Sequence, residues 1–320
     1  MKTQLDQFRE VANPHDLPEI FHYWSNKYVR TRLNSVCGAD NIPELFANAF
    51  FEAAKICESE FPRFISIGSG DCSIEIDVAN RLKKLGLSNF QLECLENNSE
   101  SANRSSAQIR ANGVEAVISP IVAEVNSWKP ARHRYCAVMS HHALHHFVEL
   151  EKLFDAIRHG LTPGGVFATN DTIGRNGHMR WPEALLWIEG IWAFLSERYK
   201  YNQQLKRLER NFINWDCSND GFDGMRTQDL LPLLVDQFHF RSFLAWGGIT
   251  DVFVDRAFGH NFDATSEQDR SLVDFIQLLN DRLIDVGVLK PTTIVAVMST
   301  EPSETQIWRH WTPRFSIRMI

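Results

Sequence analysis

Apolar residues recur at three- and four-residue spacing through most of the first 60 positions, in LPEIFHYWSNKYVRTRL and in IPELFANAFFEAAKICESEF. This spacing places the apolar side chains on one face of a helix. Pro62 then interrupts the pattern. We therefore expect residues 1–60 to form a helical segment.

From position 61 onward, short apolar runs alternate with amphipathic stretches. Five of the runs predict strands: FISI (64–67), FQLECLE (90–96), VEAVISPIV (114–122), YCAVMS (135–140) and VFATND (166–171). The stretches between them, such as SIEIDVANRLKKLG and ELEKLFDAIRHGL, have helical spacing. This alternation predicts an α/β fold with a doubly wound, mostly parallel sheet, whose ligand-binding core spans residues 61–180.

The alternation stops at position 181, where a long aromatic stretch begins. It predicts a helical cap inserted at residues 181–235, whose aromatic residues are more typical of a core than of a ligand box. A strand at 238–248, a helix at about 265–286 and a strand at 292–299 follow. We expect residues 236–304 to complete a seven-stranded sheet, and residues 305–320 to form a tail.

Composition narrows the class of protein. The chain has 320 residues, of which 44% are hydrophobic and 23% charged, as in ordinary globular proteins. A net charge of −7 disfavours nucleic acid as a partner. The six scattered cysteines, without a CxxC pair, indicate reduced thiols in a cytoplasmic protein. We also expect no signal peptide and no membrane span, because no apolar run is long enough.

A glycine turn follows the first predicted strand in FISIGSGDCSIEI. Gly68 and Gly70 either form a tight structural turn or let the backbone approach a cofactor, and the third glycine of a dinucleotide fingerprint is missing at Ser73. Asp71 is placed to cap the next helix. Glu96 ends the second strand, where an acid accepts hydrogen bonds from both hydroxyls of a ribose. This pair of features favours a nucleoside cofactor without a 2′-phosphate.

Four stretches in this order resemble the class I S-adenosylmethionine-dependent methyltransferase family, over roughly residues 60–172. They are Gly68 with Gly70, the acid Glu96, Leu144-His145-His146, and the turn Leu161-Thr162-Pro163-Gly164-Gly165. The resemblance implies a Rossmann-like fold, methyl transfer, and S-adenosylmethionine as the cofactor, with residues 1–60 covering it.

The resemblance also implies a set of cofactor-binding residues, with Tyr28 and Arg30 reaching the cofactor's carboxylate from the N-terminal segment. The remaining members are Ser66, Gly68, Ser69, Gly70, Glu96, Asn97, Glu124, Val125, Ser140 and His141. Three positions depart from the family pattern. Ser66 replaces a frequent acid, Cys72 replaces a loop glycine, and Cys136 replaces the acid that opens the fourth strand.

Candidate chemistry follows the fourth and fifth strands. His141 or His142 is a candidate general base for an acceptor hydroxyl, with a packing role as the alternative. Asp171 and His178 are alternative proton acceptors. Arg175, Arg180 and Trp181, together with His178, form a candidate acceptor-binding loop in NDTIGRNGHMRWPE (170–183).

The stretch SHHALHHF contains histidine pairs at i, i+4 spacing, which share one face of a helix and can bind a metal ion. No acid or cysteine accompanies them locally. We therefore interpret His145 and His146 as partners of backbone groups and predict no metal site.

These observations favour an enzyme that methylates a small-molecule acceptor, with a hydroxyl as the favoured acceptor and secondary metabolites or glycans as its source. N- or C-methylation and a catalytically degenerate, cofactor-binding regulatory protein are the alternatives. A nicotinamide-dependent reductase is disfavoured by the missing third glycine. The tail TQIWRHWTPRFSIRMI (305–320) either covers the active site or contacts a second subunit, as in a homodimer.

Overall fold

The computed structural model describes residues 17–219 and 223–318. Residues 1–16 of the predicted N-terminal segment and residues 319–320 of the predicted tail lie outside the described residues. Within the described residues, the strands that build the structure form one eight-stranded sheet and one two-stranded ribbon. They are β1 Arg63–Ile67, β2 Gln91–Glu96, β3 Ile118–Val122, β4 Tyr135–His141, β5 Leu161–Thr172, β6 Tyr201–Asn202, β7 Arg207–Leu208, β8 His239–Trp246, β9 Thr293–Ser299 and β10 Gln306–Ile307.

Amphipathic helices cover both faces of this sheet and extend beyond it. They are α1 Glu19–Trp24, α2 Arg30–Cys37, α3 Ile42–Ile56, α4 Ser73–Lys84, α5 Ser99–Ala111, α6 Leu150–Gly160, α7 Pro182–Phe194, α8 Thr227–Gln237, α9 Thr250–Val254, α10 Glu267–Asp285 and α11 Pro313–Ser316. A π-helical turn, Ser25–Val29, joins α1 to α2. Short 3-10 turns lie at Leu144–His146 and Asn176–His178.

The order of strands in the large sheet is β10-β8-β9-β5-β4-β1-β2-β3. Strands β1 to β5 are parallel to one another, and β9 runs antiparallel between β5 and β8. The chain moves outward from β1 through β2 to β3 and then returns to β4 on the other side of β1. This reversal creates a crevice at the carboxyl ends of β1 and β4, which is where doubly wound sheets bind ligands. The predicted α/β fold is confirmed.

The sheet has one strand more than the seven that the sequence pattern predicts. Strand β10 is the additional strand, and it pairs with β8 through only Gln306 and Ile307. Two residues are too few to give a periodic signal, so the pattern predicts only a tail at this position.

The predicted cap differs from the observed region in extent and in content. Only α7 is α-helical among the described residues between 181 and 226; the rest is irregular chain with the β6–β7 ribbon. Helix α8 packs its buried Leu230, Leu231 and Leu234 into the core beside the sheet, so it belongs to the helical layer and not to the cap. Of the cap tryptophans, Trp192 is buried, whereas Trp215 is exposed.

Two hydrophobic clusters of buried residues flank the sheet, and a third lies among the helices beyond it. It joins α1, α7, α9 and α10 around the buried Trp192, and Trp311 of the tail packs into it. The indole nitrogen of Trp311 donates to Asp285 Oδ1 at 2.9 Å. Trp311 is therefore buried in the core of its own chain.

The described helices include none with the length and apolarity needed to cross a membrane. All six cysteines are described, and none forms a disulfide.

Candidate active site

The glycine turn lies in the crevice between β1 and β4, and both glycines have left-handed backbone. Gly68 has φ of +73° and Gly70 has φ of +55°. The amides of Gly68 and Ser69 both donate to the carbonyl of Leu95 on β2, at 2.9 and 3.3 Å. A Cβ at Gly68 would lie 2.5 Å from Ala143 Cβ, whereas a Cβ at Gly70 would meet nothing within 4 Å. The turn is therefore packed at Gly68 and open at Gly70.

Glu96 closes the other side of this opening. Its Oε2 accepts a hydrogen bond from the Gly70 amide at 2.9 Å, and its Oε1 accepts one from the Asn98 amide at 3.0 Å. Partial burial raises the pKa of Glu96, although these amide hydrogen bonds act in the opposite direction. Each carboxylate oxygen keeps one further lone pair for a ligand. The fit suits a ribose placed between Gly70 and Glu96.

A buried acid that the sequence pattern does not reveal lies behind the turn. Ser66 is buried in β1, and its hydroxyl donates to Glu75 Oε1 of α4 at 2.5 Å. Glu75 is itself buried, which raises the pKa of its carboxyl group to about 8. Position 66 itself carries no acid, but it contacts one that lies nine residues further along the chain.

Several predicted cofactor residues lie along the same edge of the sheet. Ser140 is buried, and its hydroxyl donates to the carbonyl of Ile67 at 3.1 Å, so it fastens β4 to β1. Asn97 and Glu124 are exposed at the ends of β2 and β3. Val125 is a buried member of the core. Of these residues, Asn97 and Glu124 are the accessible ones at this edge.

Two residues of the N-terminal segment that were expected to reach the cofactor have protein partners in the structure. The hydroxyl of Tyr28 donates to Asp274 Oδ1 of α10 at 2.7 Å, and burial together with this hydrogen bond raises the pKa of Tyr28. Arg30 forms an ion pair with Asp40 at 2.6 Å. Both side chains are thus held by acids of the surrounding helical region. At the sheet edge itself, Phe46 of helix α3 contacts His141.

Asp171 lies at the end of β5 and is completely buried. Its Oδ2 accepts hydrogen bonds from the amides of Ala143 and Leu144 at 3.0 and 2.8 Å, and its Oδ1 accepts from the amide of Thr172 at 2.8 Å. Nδ1 of His145 lies 2.5 Å from the same Oδ1. The prediction that Asp171 takes a proton from an acceptor is corrected, because its oxygens hold the post-β4 loop and orient His145.

His141 and His142 lie where β4 ends. The His141 ring contacts Phe46 of α3, with centroids 6.1 Å apart. His142 has an accessible side chain, and its amide donates to the carbonyl of Asn170 at 2.8 Å. The surrounding protein lowers the pKa of His142 by desolvation, against the opposing charge of Asp171. An exposed side chain with a lowered pKa describes a neutral imidazole at the end of β4.

The loop after β5 holds the predicted acceptor-binding residues, and one of its arginines is already paired. The Arg180 guanidinium pairs with Asp251 of α9, and its amide donates to Asn214 Oδ1. Arg175 lies over the Trp181 ring at 5.8 Å and has no ion-pair partner within the described parts of the chain. Its Nη1 also donates to the carbonyl of Arg180 at 3.4 Å, so its contacts are with a carbonyl and a ring, and no described carboxylate pairs with it.

His178, in the same loop, meets side chains from two other segments. Its Nε2 lies 2.8 Å from Asp223 Oδ1, and the same oxygen lies 3.6 Å from His145 Nε2 and 3.7 Å from His146 Nδ1. The i, i+4 histidine pairs do not share a helix face, because only Leu144–His146 is helical there. Asp223 gives no local signal in the sequence, because it lies far along the chain from the histidines that it meets.

No protein-family model and no curated protein matches the chain. Among solved structures, one described as a putative sarcosine dimethylglycine methyltransferase from Galdieria sulphuraria is 13% identical, with a TM-score of 0.45 over 90% of this chain and 97% of that one. Geranyl diphosphate methyltransferase is 10% identical, with a TM-score of 0.44 over 88% and 98%. The cyclase SpnF is 11% identical, with a TM-score of 0.44 over 85% and 92%.

These distant similarities do not establish an activity, because one fold serves many activities. The function of this chain is therefore inferred from its own crevice and side chains.

Proposed function

We propose that this protein is an S-adenosylmethionine-dependent methyltransferase that acts on a small-molecule acceptor. The observation that carries the proposal is the hydrogen bond from the Gly70 amide, in the turn after β1, to Glu96 at the end of β2. It joins a glycine turn with open space to an acid that has acceptor capacity left. This combination supports a nucleoside cofactor, and the motif order resembles the methyltransferase family.

Different residues of the crevice bind different parts of the cofactor. The Glu96 carboxylate accepts hydrogen bonds from the ribose hydroxyls, and Asn97 flanks the adenine. The methionine part lies against the turn at Gly68 to Gly70, close to the Ser66–Glu75 pair. When bound, the cofactor supplies an electrophilic methyl group on a positively charged sulfur. The protein aligns the acceptor with that group.

His142 is the group we propose as the general base. It is accessible, and its lowered pKa keeps the imidazole neutral, so it accepts the proton of an acceptor hydroxyl. Arg175, which is free of ion pairs in the described residues, binds an anionic or polyhydroxyl part of the acceptor. These features favour oxygen as the methylated atom, with N- or C-methylation as the second candidate.

Calorimetry with S-adenosylmethionine, with its demethylated product and with NAD tests the cofactor. We expect the first two to bind and NAD not to bind. Glu96→Gln keeps the shape of the side chain but removes its charge, and a hydrogen bond to a charged group contributes about 1.5 to 3 kcal/mol. The variant should therefore bind S-adenosylmethionine about 10- to 100-fold more weakly.

Glu115→Gln is the matched control, because Glu115 is exposed on the loop before β3. Unchanged affinity in the Glu96 variant, or binding of NAD alone, contradicts the proposal. Binding of the cofactor without methyl transfer to any member of a hydroxyl, amine and carbon-acid acceptor pool favours the regulatory alternative instead.

A further inference from the structure

We propose that His145, His178 and Asp223 bind a divalent transition-metal ion. One donor atom from each lies within 4.8 Å of the other two, and the three residues come from separate segments of the chain. Two imidazoles and one carboxylate suit zinc or ferrous iron, and three protein ligands leave a position open. This site replaces the sequence-based expectation of no metal, and it does not depend on methyl transfer.

His145 is oriented as a metal-binding histidine. Its Nδ1 lies 2.5 Å from Asp171 Oδ1, so the buried carboxylate fixes the tautomer. The other ring nitrogen, Nε2, faces Asp223 Oδ1 at 3.6 Å and is the atom that a metal ion would contact. A carboxylate that holds the outer nitrogen of a histidine is the usual support of a metal ligand.

Two glycines bring His178 to Asp223. The amide of Gly177 donates to the carbonyl of Gly224 at 2.8 Å, and both residues have positive φ. A Cβ at Gly224 would lie 3.1 Å from the amide nitrogens of Gly177 and His178, closer than side chains normally approach. Only glycine at this position allows the two segments to touch without displacement.

Further hydrogen bonds hold the same junction. Thr227 Oγ1 donates to the carbonyl of Gly224 at 2.9 Å, and the amide of Gln228 donates to Asn176 Oδ1 at 3.1 Å. His178 itself has φ of +55°, a conformation that β-carbon-bearing residues adopt at a cost. The backbone is therefore arranged in advance around the three side chains, as a binding site requires.

The distances fit an ion after small side-chain movements. Ligands about 2.0 to 2.1 Å from a tetrahedral zinc ion lie roughly 3.4 Å apart. The distances from Asp223 Oδ1 to His178 Nε2 and to His145 Nε2 are 2.8 and 3.6 Å, on either side of that value. The side chains of His178 and Asp223 are 28% and 27% exposed, so an ion can enter from solvent. Nδ1 of His146 lies 3.7 Å from Asp223 Oδ1, next to the three proposed ligands.

Calorimetric titration of the full chain with zinc, after chelator treatment, tests the site. We expect one ion per chain. Asp223→Asn and His178→Asn each remove a ligand. Removing a residue that only hydrogen-bonds to a metal ligand weakens metal affinity about 10- to 100-fold. Removing a ligand itself should therefore weaken zinc affinity by at least about 100-fold. His159→Gln, at an exposed position of α6, is the matched control and should bind as the parent does.

Cobalt provides the second readout. Bound at this site, it should give the visible spectrum of nitrogen and oxygen ligation, without a thiolate-to-cobalt band. Three results overturn the proposal: no stoichiometric binding by the parent chain, equal binding by both ligand variants, or a thiolate band showing that cysteines hold the ion. Apo melting temperatures establish that the variants are folded. If one of the two ligand variants misfolds, the metal affinity of the other still tests the site, because each variant removes a different ligand.

Discussion

Glu75 illustrates how one buried carboxyl group changes the properties of the cofactor crevice. It is 2% exposed, it accepts a hydrogen bond from Ser66, and its pKa is raised to about 8. At neutral pH the apo protein therefore keeps a protonated acid behind the glycine turn. A cationic amino group brought near it would favour the charged form instead.

Glu75→Gln should make the protein relatively more stable as the pH rises. In the parent protein below about pH 4.5, the Glu75 carboxyl group is protonated in both the folded and the unfolded chain. Between there and about pH 8 the unfolded chain releases the proton while the folded chain keeps it, so the free energy of unfolding falls as the pH rises. At about 1.4 kcal/mol per pKa unit, the loss is on the order of a few kcal/mol.

Thermal unfolding of both proteins in steps from about pH 5 to 9 measures this difference. The gap in melting temperature between Glu75→Gln and the parent should widen up to about pH 8 and then stay constant. The exposed Glu115→Gln serves again as the control and should follow the parent at every pH. Parallel curves for the Glu75 variant would contradict the assignment of a buried, protonated acid.

At the scale of elements, the site depends on loops that touch one another. The turn after β1 packs against the loop after β4, where Gly68 meets Ala143. The loop after β4 is held in turn by Asp171 of β5. Each loop is short, and its conformation is set by the neighbouring strand. The crevice is therefore arranged before a ligand binds.

The two glycines of the turn should respond differently to alanine. Both have positive φ, so alanine at either position costs about 1 kcal/mol in backbone strain. Gly68→Ala also forces Cβ to 2.5 Å from Ala143 Cβ, whereas Gly70→Ala adds a methyl group in open space. Urea unfolding should show a loss of about 2 to 4 kcal/mol for Gly68→Ala, by analogy with overpacked cores, and about half of that or less for Gly70→Ala. Equal losses would contradict the close contact.

At the scale of the whole molecule, the N-terminal helices and the cap share one hydrophobic cluster with α10. A buried ion pair lies beside this cluster. Arg32 of α2 contacts Asp281 of α10, and their side chains are 6% and 9% exposed. Gln277 donates a further hydrogen bond to Asp281 at 2.7 Å. The pair fixes the position of α2 against α10.

Breaking this pair should be more costly than replacing it. Arg32→Met leaves the Asp281 charge buried, which we expect to lower the free energy of unfolding by about 3 to 5 kcal/mol. The double variant Arg32→Met/Asp281→Leu removes both charges and should recover much of that loss. Denaturant unfolding of both single variants and the double variant closes the cycle. A loss below about 1 kcal/mol for Arg32→Met would show that Asp281 is solvated.

The parallel sheet and the glycine turn beside Glu96 can be predicted from the amino-acid sequence. These features come from local periodicity and from the rule that parallel strands end at one edge. Four features could not be predicted in this way and depend on the folded chain: the contact of His178 with Asp223, the contact of Tyr28 with Asp274, the place of α8 in the helical layer and the burial of Trp311. Tyr28 and Asp274 are 246 positions apart. Such contacts arise from the packing of separate elements, which the pattern within any one element does not encode.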